Sequence, residues 1–348
     1  MGVPEGVRVR QLVFPERRRC VMEQAPLPAG ALGPDRVLLQ TEVSLMSTGT
    51  ELANYSGLDP GVDVPGSWNA YPSRPGYAAV GRLAWVGDRV PGLRAGQRVL
   101  AFTPHASHVV AAPGQRAVFP LEEGDDPLRM VLVRMASVAI TALRLSAGAQ
   151  AGRTAAVIGL GLVGNFAAQL FQLAGLRVLA FDPAPRRVEI ARACGIAGAR
   201  AEVGASAGAA VAESTGGRGA DVVIEAIGNP ALIAGAAAMC ARLGEVVLLG
   251  SPRGPLQGDT GPLWSDIHHR GIRIVGALEW LLPYHRREAG AGHSIEANVE
   301  ALLRWVRSGA LRTEGLVSHV VPPERAQETY DGVLADRNAY MGICFDWR

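Results

Sequence analysis

The segment GLGLVG sets Gly159, Gly161 and Gly164 in a G-x-G-x-x-G pattern, directly after the apolar run TAAVIGL. An amphipathic run, VGNFAAQLFQLAG, follows at once. A strand that turns into a helix through such glycines can cradle a pyrophosphate. Gly159 allows the tight turn, Gly161 the close backbone approach and Gly164 the packing of helix on strand. The helix start, with Leu162 and Val163, presents free N–H groups to the phosphates. Asp182 ends the next apolar run, RVLAFD. A carboxylate there accepts hydrogen bonds from both ribose hydroxyls and repels a 2′-phosphate, which favours NAD over NADP. Arg186 and Arg187 follow, open to a phosphate, to solvent or to stacking on an adenine. His105 and His108, in TPHASHVVA, are the natural general bases near neutral pH, and His105 has the better claim.

These residues need elements to position them. From about Ser137 strands and helices alternate: TAAVIGL, the helix closed by Gly175, RVLAFD, RRVEIARACG, ADVVIEAIG, PALIAGAAAMCARLG, EVVLLGS and finally IRIVGALEW. Strands spaced by helices of this length predict right-handed βαβ units and a parallel, doubly wound α/β sheet. The turns after two of these strands, Ala226–Ile227–Gly228 and Leu249–Gly250–Ser251, then join the nucleotide site. The first third reads differently, as short β-type runs such as RVLLQTEVSLMS and QRVLAF broken by Gly and Pro. After Trp280 a helix, SIEANVEALLRWVRSG, and a strand-like end, YMGICFDW, have no βαβ partner left. Residues 1–136 and 278–348 are therefore expected to form one β-rich domain, and 137–277 the nucleotide domain.

Composition excludes several functions. The chain of 348 residues is 48% hydrophobic with a formal charge of +2, long enough for two cores and giving no reason to expect nucleic acid as partner. It contains no lysine, so all 34 Lys+Arg residues are arginine. Schiff-base catalysis and a P-loop lysine are thereby excluded. Cys20, Cys194, Cys240 and Cys344 lie far apart without a C-x-x-C pair, as expected of reduced buried thiols rather than a disulfide framework or zinc ribbon. No apolar run reaches membrane-spanning length. The expectation is a soluble cytoplasmic protein with no membrane partner.

The order of a small β-rich domain, a nucleotide domain and a short return resembles the medium-chain dehydrogenase/reductase superfamily across essentially the whole chain. STGTELANYSG resembles its Cys-Gly-Thr-Asp segment, RPGYAAVGRLAWVG its Pro-Gly-His-Glu segment and GQRVLAF its Gly-Asp-Arg-Val strand. Within it, Ser-x-Gly-Thr-Glu with Pro-Gly-Tyr resembles a branch that includes hydroxyethyl-bacteriochlorophyllide dehydrogenase. The resemblance implies a GroES-like catalytic domain beside a Rossmann domain, and a homodimer paired through the nucleotide-domain edge strand. It also implies that Ala277 and Glu279, on the last strand, flank the nicotinamide through their backbone.

Carried over one by one, the superfamily's catalytic zinc ligands fall on Thr48, Tyr77 and near Arg134, none of which suits zinc. The lobe that holds structural zinc has no room here. No zinc is expected at either place. Thr50 matches the hydroxyl that begins the superfamily's proton relay, but the histidine that continues it falls on Ala53. Glu51 matches an acidic position that supports the site from behind, or it is a structural carboxylate. Tyr77 is either a proton donor and acceptor or a wall of the pocket. Arg134 either polarises a carbonyl near the vacated metal position or points outward. Trp68, Trp264 and Trp280 are an aromatic wall or packing. The leading expectation is a zinc-independent, NAD-dependent oxidoreductase between a secondary alcohol and a ketone, on a small, polyhydroxylated or specialised substrate. A metal-free reductase of activated C=C bonds and a catalytically silent NAD-binding protein remain the alternatives.

Overall fold

The computed structural model describes residues 6–113, 117–290 and 292–348. The chain divides into two compact units, Met1–Arg134 with Val317–Arg348, and Met135–Leu316.

The first unit opens with an antiparallel ribbon of β1 (Arg8–Val13) and β2 (Val21–Pro26). Its central strand is β3 (Val37–Leu45), whose Val37, Leu39, Val43 and Leu45 are buried. The chain then forms α1 (Thr50–Ser56), which ends at Gly57 in the left-handed region, φ 72°. β4 (Ala79–Val86), β5 (Arg98–Ala101), β6 (His108–Ala111) and β7 (Val118–Pro120) follow, then the short α2 (Pro127–Met130). β3 pairs antiparallel with both β4 and β6, so the segments around residues 44, 78 and 107 are drawn together by sheet register.

The second unit is the alternating one. After α3 (Val133–Leu145) come β8 (Thr154–Ile158), α4 (Leu162–Leu173), β9 (Arg177–Phe181), α5 (Pro185–Ala193) and β10 (Ala199–Arg200). Then follow α6 (Gly204–Ser214), β11 (Ala220–Glu225), α7 (Ile233–Met239), β12 (Cys240–Leu248), α8 (Gly261–Arg270) and β13 (Arg273–Gly276). These strands form one parallel sheet in the order β10-β9-β8-β11-β12-β13. In a doubly wound sheet buried on both faces, central strands read as continuous apolar runs, as Ala155–Val157 and Val222–Ile224 do. The winding reverses between β8 and β11, where such sheets bind ligands.

The second unit ends with α9 (Arg286–Ala289) and α10 (Ile295–Arg307). The first unit resumes with β14 (Val317–Val321), α11 (Ala326–Ala335) and β15 (Gly342–Asp346). β15 pairs parallel to β14 and antiparallel to β3, closing the first unit's large sheet.

Three expectations need correction. The return to the first unit comes at Val317, not at residue 278. α10 buries Val299, Leu302 and Val306, is capped by Ser294, and its Asn298 accepts a hydrogen bond from Arg144 of α3 at 3.0 Å. The run PALIAGAAAMCARLG is not one helix. Cys240 pairs with Ala220 in the sheet, so pairing overrides helix propensity from Cys240 onward. The last strand ends at Gly276; Glu279 opens a 3-10 turn rather than lying in the sheet.

Candidate functional site

In the second unit the glycine turn is built as the spacing predicts. Gly159 has φ 93°, and a Cβ on Gly164 would lie 1.9 Å from the Gly159 carbonyl oxygen, so no other residue fits there. Gly161 faces open space within 4 Å and caps α4 without any side-chain hydrogen bond. The first-turn N–H groups of α4, with Leu162 and Val163, therefore look onto an uncrowded approach. These features fit a pyrophosphate.

Asp182 is 1% exposed, and its carboxylate is engaged in holding the turn. Leu160 N–H donates to Oδ2 at 2.8 Å and Ala184 N–H to Oδ1 at 2.9 Å. Oδ1 keeps a further lone pair, so Asp182 can hold the loop and accept a ribose hydroxyl together. Arg187 lies 3.5 Å from Oδ2, an ion pair to Asp182, and Arg186 is exposed.

The turns after β11 and β12 interlock. Gly228 and Gly250 pack backbone to backbone: a Cβ on Gly250 would come 2.1 Å from Gly228 N. Ala226 N–H donates to Ile158 O at 3.0 Å, and Ile227 is 51% exposed. Leu249 and Gly250 N–H groups both reach the Glu225 carbonyl, at 2.9 and 2.8 Å. The Glu225 side chain takes the N–H of Ile227 at 2.7 Å and of Gly228 at 2.9 Å. Burial pushes the Glu225 carboxyl up, and the backbone donors pull it partly back. Glu225 thus holds both turns, and the glycine pattern gave no sign of it. Ser251 is exposed, Ala277 is buried with its N–H on Leu248 O, and the Glu279 carboxylate accepts the Ser137 hydroxyl at 2.5 Å.

In the first unit, Tyr77, Thr50, Glu51, Arg134 and His105 converge on one polar cluster. The partly exposed Tyr77 donates to Ser47 Oγ at 2.5 Å, and the Thr50 hydroxyl also bonds it. The Arg134 guanidinium, 3% exposed, lies 4.7 Å from the Tyr77 ring centroid and 4.2 Å from that of Phe102, held between two aromatic faces. It does not point outward. Glu51 is buried beneath: Oε1 accepts Ser47 N–H at 2.7 Å, and Oε2 contacts Tyr330 Oη at 2.5 Å and His105 Nε2 at 3.0 Å.

His105 corrects the expectation of a general base that reaches substrate. It is 0% exposed, with Nε2 on Glu51 and Nδ1 on Ser44 Oγ at 2.7 Å, and its ring meets Phe345 edge-on. Gly76, at φ 95°, packs straight onto it; a Cβ there would lie 2.6 Å from His105 N. His105 therefore braces the turn that carries Tyr77. His108 is half-buried at the start of β6, and burial, then Arg10, pushes its imidazole down. Trp68, Trp264 and Trp280 are 75%, 61% and 67% exposed, so none is packing. Ser44 and Tyr330 were not legible as site residues, because neither was singled out by any motif; Ser47 opens the Ser-x-Gly-Thr-Glu motif, but nothing in its spacing gave it a role.

The residues onto which the superfamily's zinc ligands fall do not fit zinc. Thr48 and Tyr77 offer weakly basic hydroxyls, and Arg134 brings a fixed positive charge that opposes a cation. Among the described residues no three His, Cys, Asp or Glu side chains gather to hold a metal.

Comparison with known proteins agrees with this architecture. The zinc-binding dehydrogenase family model matches residues 163–285. A D-guloside 3-dehydrogenase of Shigella flexneri is 25% identical over 338 residues, covering 89% of this chain and 95% of that protein. The 2R,3R-butanediol dehydrogenase of Bacillus subtilis superposes with a TM-score of 0.77 at 20% identity, over 97% of this chain and 99% of its own. A Sinorhizobium meliloti 1021 protein described as a zinc-binding dehydrogenase, bound to NADP, gives 0.76 at 20% identity over 98% and 99%.

Proposed function

As a medium-chain dehydrogenase/reductase and an alcohol–ketone oxidoreductase, this chain, we propose, works with NAD and without zinc. The observation that carries the reading is the cluster at the vacated metal position, where Arg134 lies over the ring of a Tyr77 bonded to Ser47. The guanidinium lies 4.7 Å from the Tyr77 ring centroid, and its fixed positive charge opposes a dication held beside that ring. Asp182, held by two backbone amides, supports NAD over NADP.

Residues Gly159 to Gly164 would hold the pyrophosphate, Asp182 the adenosine ribose and Arg187 the adenine side. Ala226–Gly228, Leu249–Ser251, Ala277 and Glu279 would border the nicotinamide. The bound nicotinamide supplies or accepts the hydride. Thr50, Tyr77 and Arg134 serve the proton side of the reaction, and Glu51 with His105 positions them.

The substrate proposed is a polyhydroxylated or otherwise specialised metabolite with a secondary alcohol. Support comes from the D-guloside 3-dehydrogenase that matches along 89% of the chain. We infer a homodimer through β13, an edge strand whose Ile274 is 36% exposed. Four buried free thiols support a reducing, cytoplasmic compartment, and no helix among the described residues is long and apolar enough to cross a membrane.

The test is a titration with NADH and NADPH, followed by turnover of a panel of sugar-derived ketones in the presence of a chelator. Tighter NADH binding and chelator-insensitive turnover are expected. Preference for NADPH, or loss of turnover on chelation, contradicts the reading.

A further inference from the structure

We propose that Ser47, Tyr77 and Arg134 form one proton-carrying unit, in which Tyr77 is the general acid toward a ketone and Ser47 its hydroxyl partner. The inference rests on the metal-free reading and names the groups that take over the Lewis acid's work.

Geometry within the first unit carries it. The Tyr77 hydroxyl already donates to Ser47 Oγ at 2.5 Å. If the phenol loses its proton, the Ser47 hydroxyl can rotate and donate back, because its hydrogen is free to turn. Ser47 itself is fixed from behind, its N–H on Glu51 Oε1 at 2.7 Å. The Arg134 cation, clamped against Phe102 at 4.2 Å, sits over the face of the same ring at 4.7 Å. A phenol with a hydroxyl at its oxygen and a fixed cation at its ring can give up and regain a proton in place.

In the reductive direction the bound nicotinamide would supply a hydride to the carbonyl carbon, and the C=O π pair would pass to oxygen. That oxygen takes the Tyr77 proton; the ketone is reduced and the nicotinamide oxidised. The phenolate left behind is held by Ser47, Thr50 and Arg134 until water returns the proton to the partly exposed Tyr77.

The electrostatics give the direction a bias. Burial pushes the Tyr77 phenol up; Arg134, Ser47 and Thr50 pull it down, while the Glu51 carboxylate pushes it up. The net effect is upward, so near neutral pH Tyr77 is protonated and ready as an acid. Ketone reduction holds across neutral pH and is lost as pH rises through the phenol's midpoint. Alcohol oxidation needs the phenolate and grows as pH rises toward the same midpoint.

The experiment places 3-fluorotyrosine at position 77 of the full chain and follows its ionisation by fluorine NMR, without substrate. The midpoint should rise in Ser47→Ala and in Arg134→Gln, and fall in Glu51→Gln; Ser47→Ala decides if the buried arginine variant does not fold. In parallel, Tyr77→Phe should lower kcat for reduction of hydroxyketones by about 100-fold or more, with NADH affinity unchanged. Fluorine midpoints that stay fixed in Ser47→Ala and Glu51→Gln, beside active ketone reduction, overturn the Ser47–Tyr77–Arg134 assignment alone. A Tyr77→Phe variant with the parent's rate and pH profile overturns the general-acid role. A chain that binds NADH yet reduces none of the ketones overturns the dehydrogenase reading, and the proton role with it.

Discussion

The glycine turn of the second unit and the Tyr77 cluster of the first are made of different materials. The turn is backbone: Gly159, Gly161 and Gly164 act by lacking a Cβ, and Asp182 and Glu225 act by holding N–H groups. The cluster is side chain: Ser47, Tyr77, His105, Arg134 and Tyr330 come from remote positions and meet through hydrogen bonds and ring contacts. A backbone site fails by steric exclusion and all at once. A side-chain site can change one residue at a time.

That contrast can be broken at either end. The largest effect is expected from Gly164→Val, which drives carbon into the Gly159 carbonyl oxygen, a group that cannot move aside. Overpacking of this kind costs about 3 kcal/mol or more. A collapse of NADH binding and a lowered Tm are expected, read by fluorescence titration and thermal melts; a variant that binds NADH like the parent would show the turn to be more pliant than drawn.

Next is Tyr330→Phe, which removes one hydroxyl from the buried Glu51 carboxylate. The expected loss is about 1–3 kcal/mol of stability, measured by urea unfolding, with NADH affinity unaffected because the nucleotide turn lies in the other unit. A fall in NADH affinity as large as the fall in stability would erase the distinction between the two regions.

Asp182→Asn should act more mildly. It puts an amide donor or a single acceptor where two backbone N–H groups now meet a carboxylate, and it removes the charge that repels a 2′-phosphate. NADH affinity is expected to fall about tenfold, roughly 1.4 kcal/mol, while the preference over NADPH narrows. An unchanged ratio of the two affinities would remove Asp182 from the account of specificity.

The smallest effect concerns Glu225. Its carboxyl is raised in the folded chain by burial, so protonation favours the fold. Its contribution to stability is therefore present at acid pH and declines as pH rises through the folded midpoint. Comparing Tm against pH for the parent and Glu225→Gln, the parent's relative stability should decline from acid toward neutral pH; a difference that grows with pH would reverse the sign.

Legibility in the sequence followed the same division. The glycine spacing, the apolar strand runs and Asp182 all act locally, so each could be read from a short window. The doubly wound sheet and the geometry of the glycine turn stand as read. Where long-range contact decides, the sequence misled: His105 looks like a loop histidine beside Pro104, yet sheet register and the missing Cβ of Gly76 bury it against Glu51 and Ser44. Residues 278–316 look like part of the return, yet Arg144–Asn298 and the apolar face of α10 keep them with the second unit. Ser47 opens the Ser-x-Gly-Thr-Glu motif, but its bond to Tyr77 spans 30 residues and that of Tyr330 to Glu51 spans 279, so neither pairing could be read from a short window.

The residues around Tyr77 are proposed to do the work of a metal. Elemental analysis of the purified chain, produced in zinc-supplemented medium and tested for ketone reduction in the same preparation, addresses it most directly. Active protein with no stoichiometric zinc is the expected result. One tightly held zinc per active chain, lost together with activity on chelation, would contradict it.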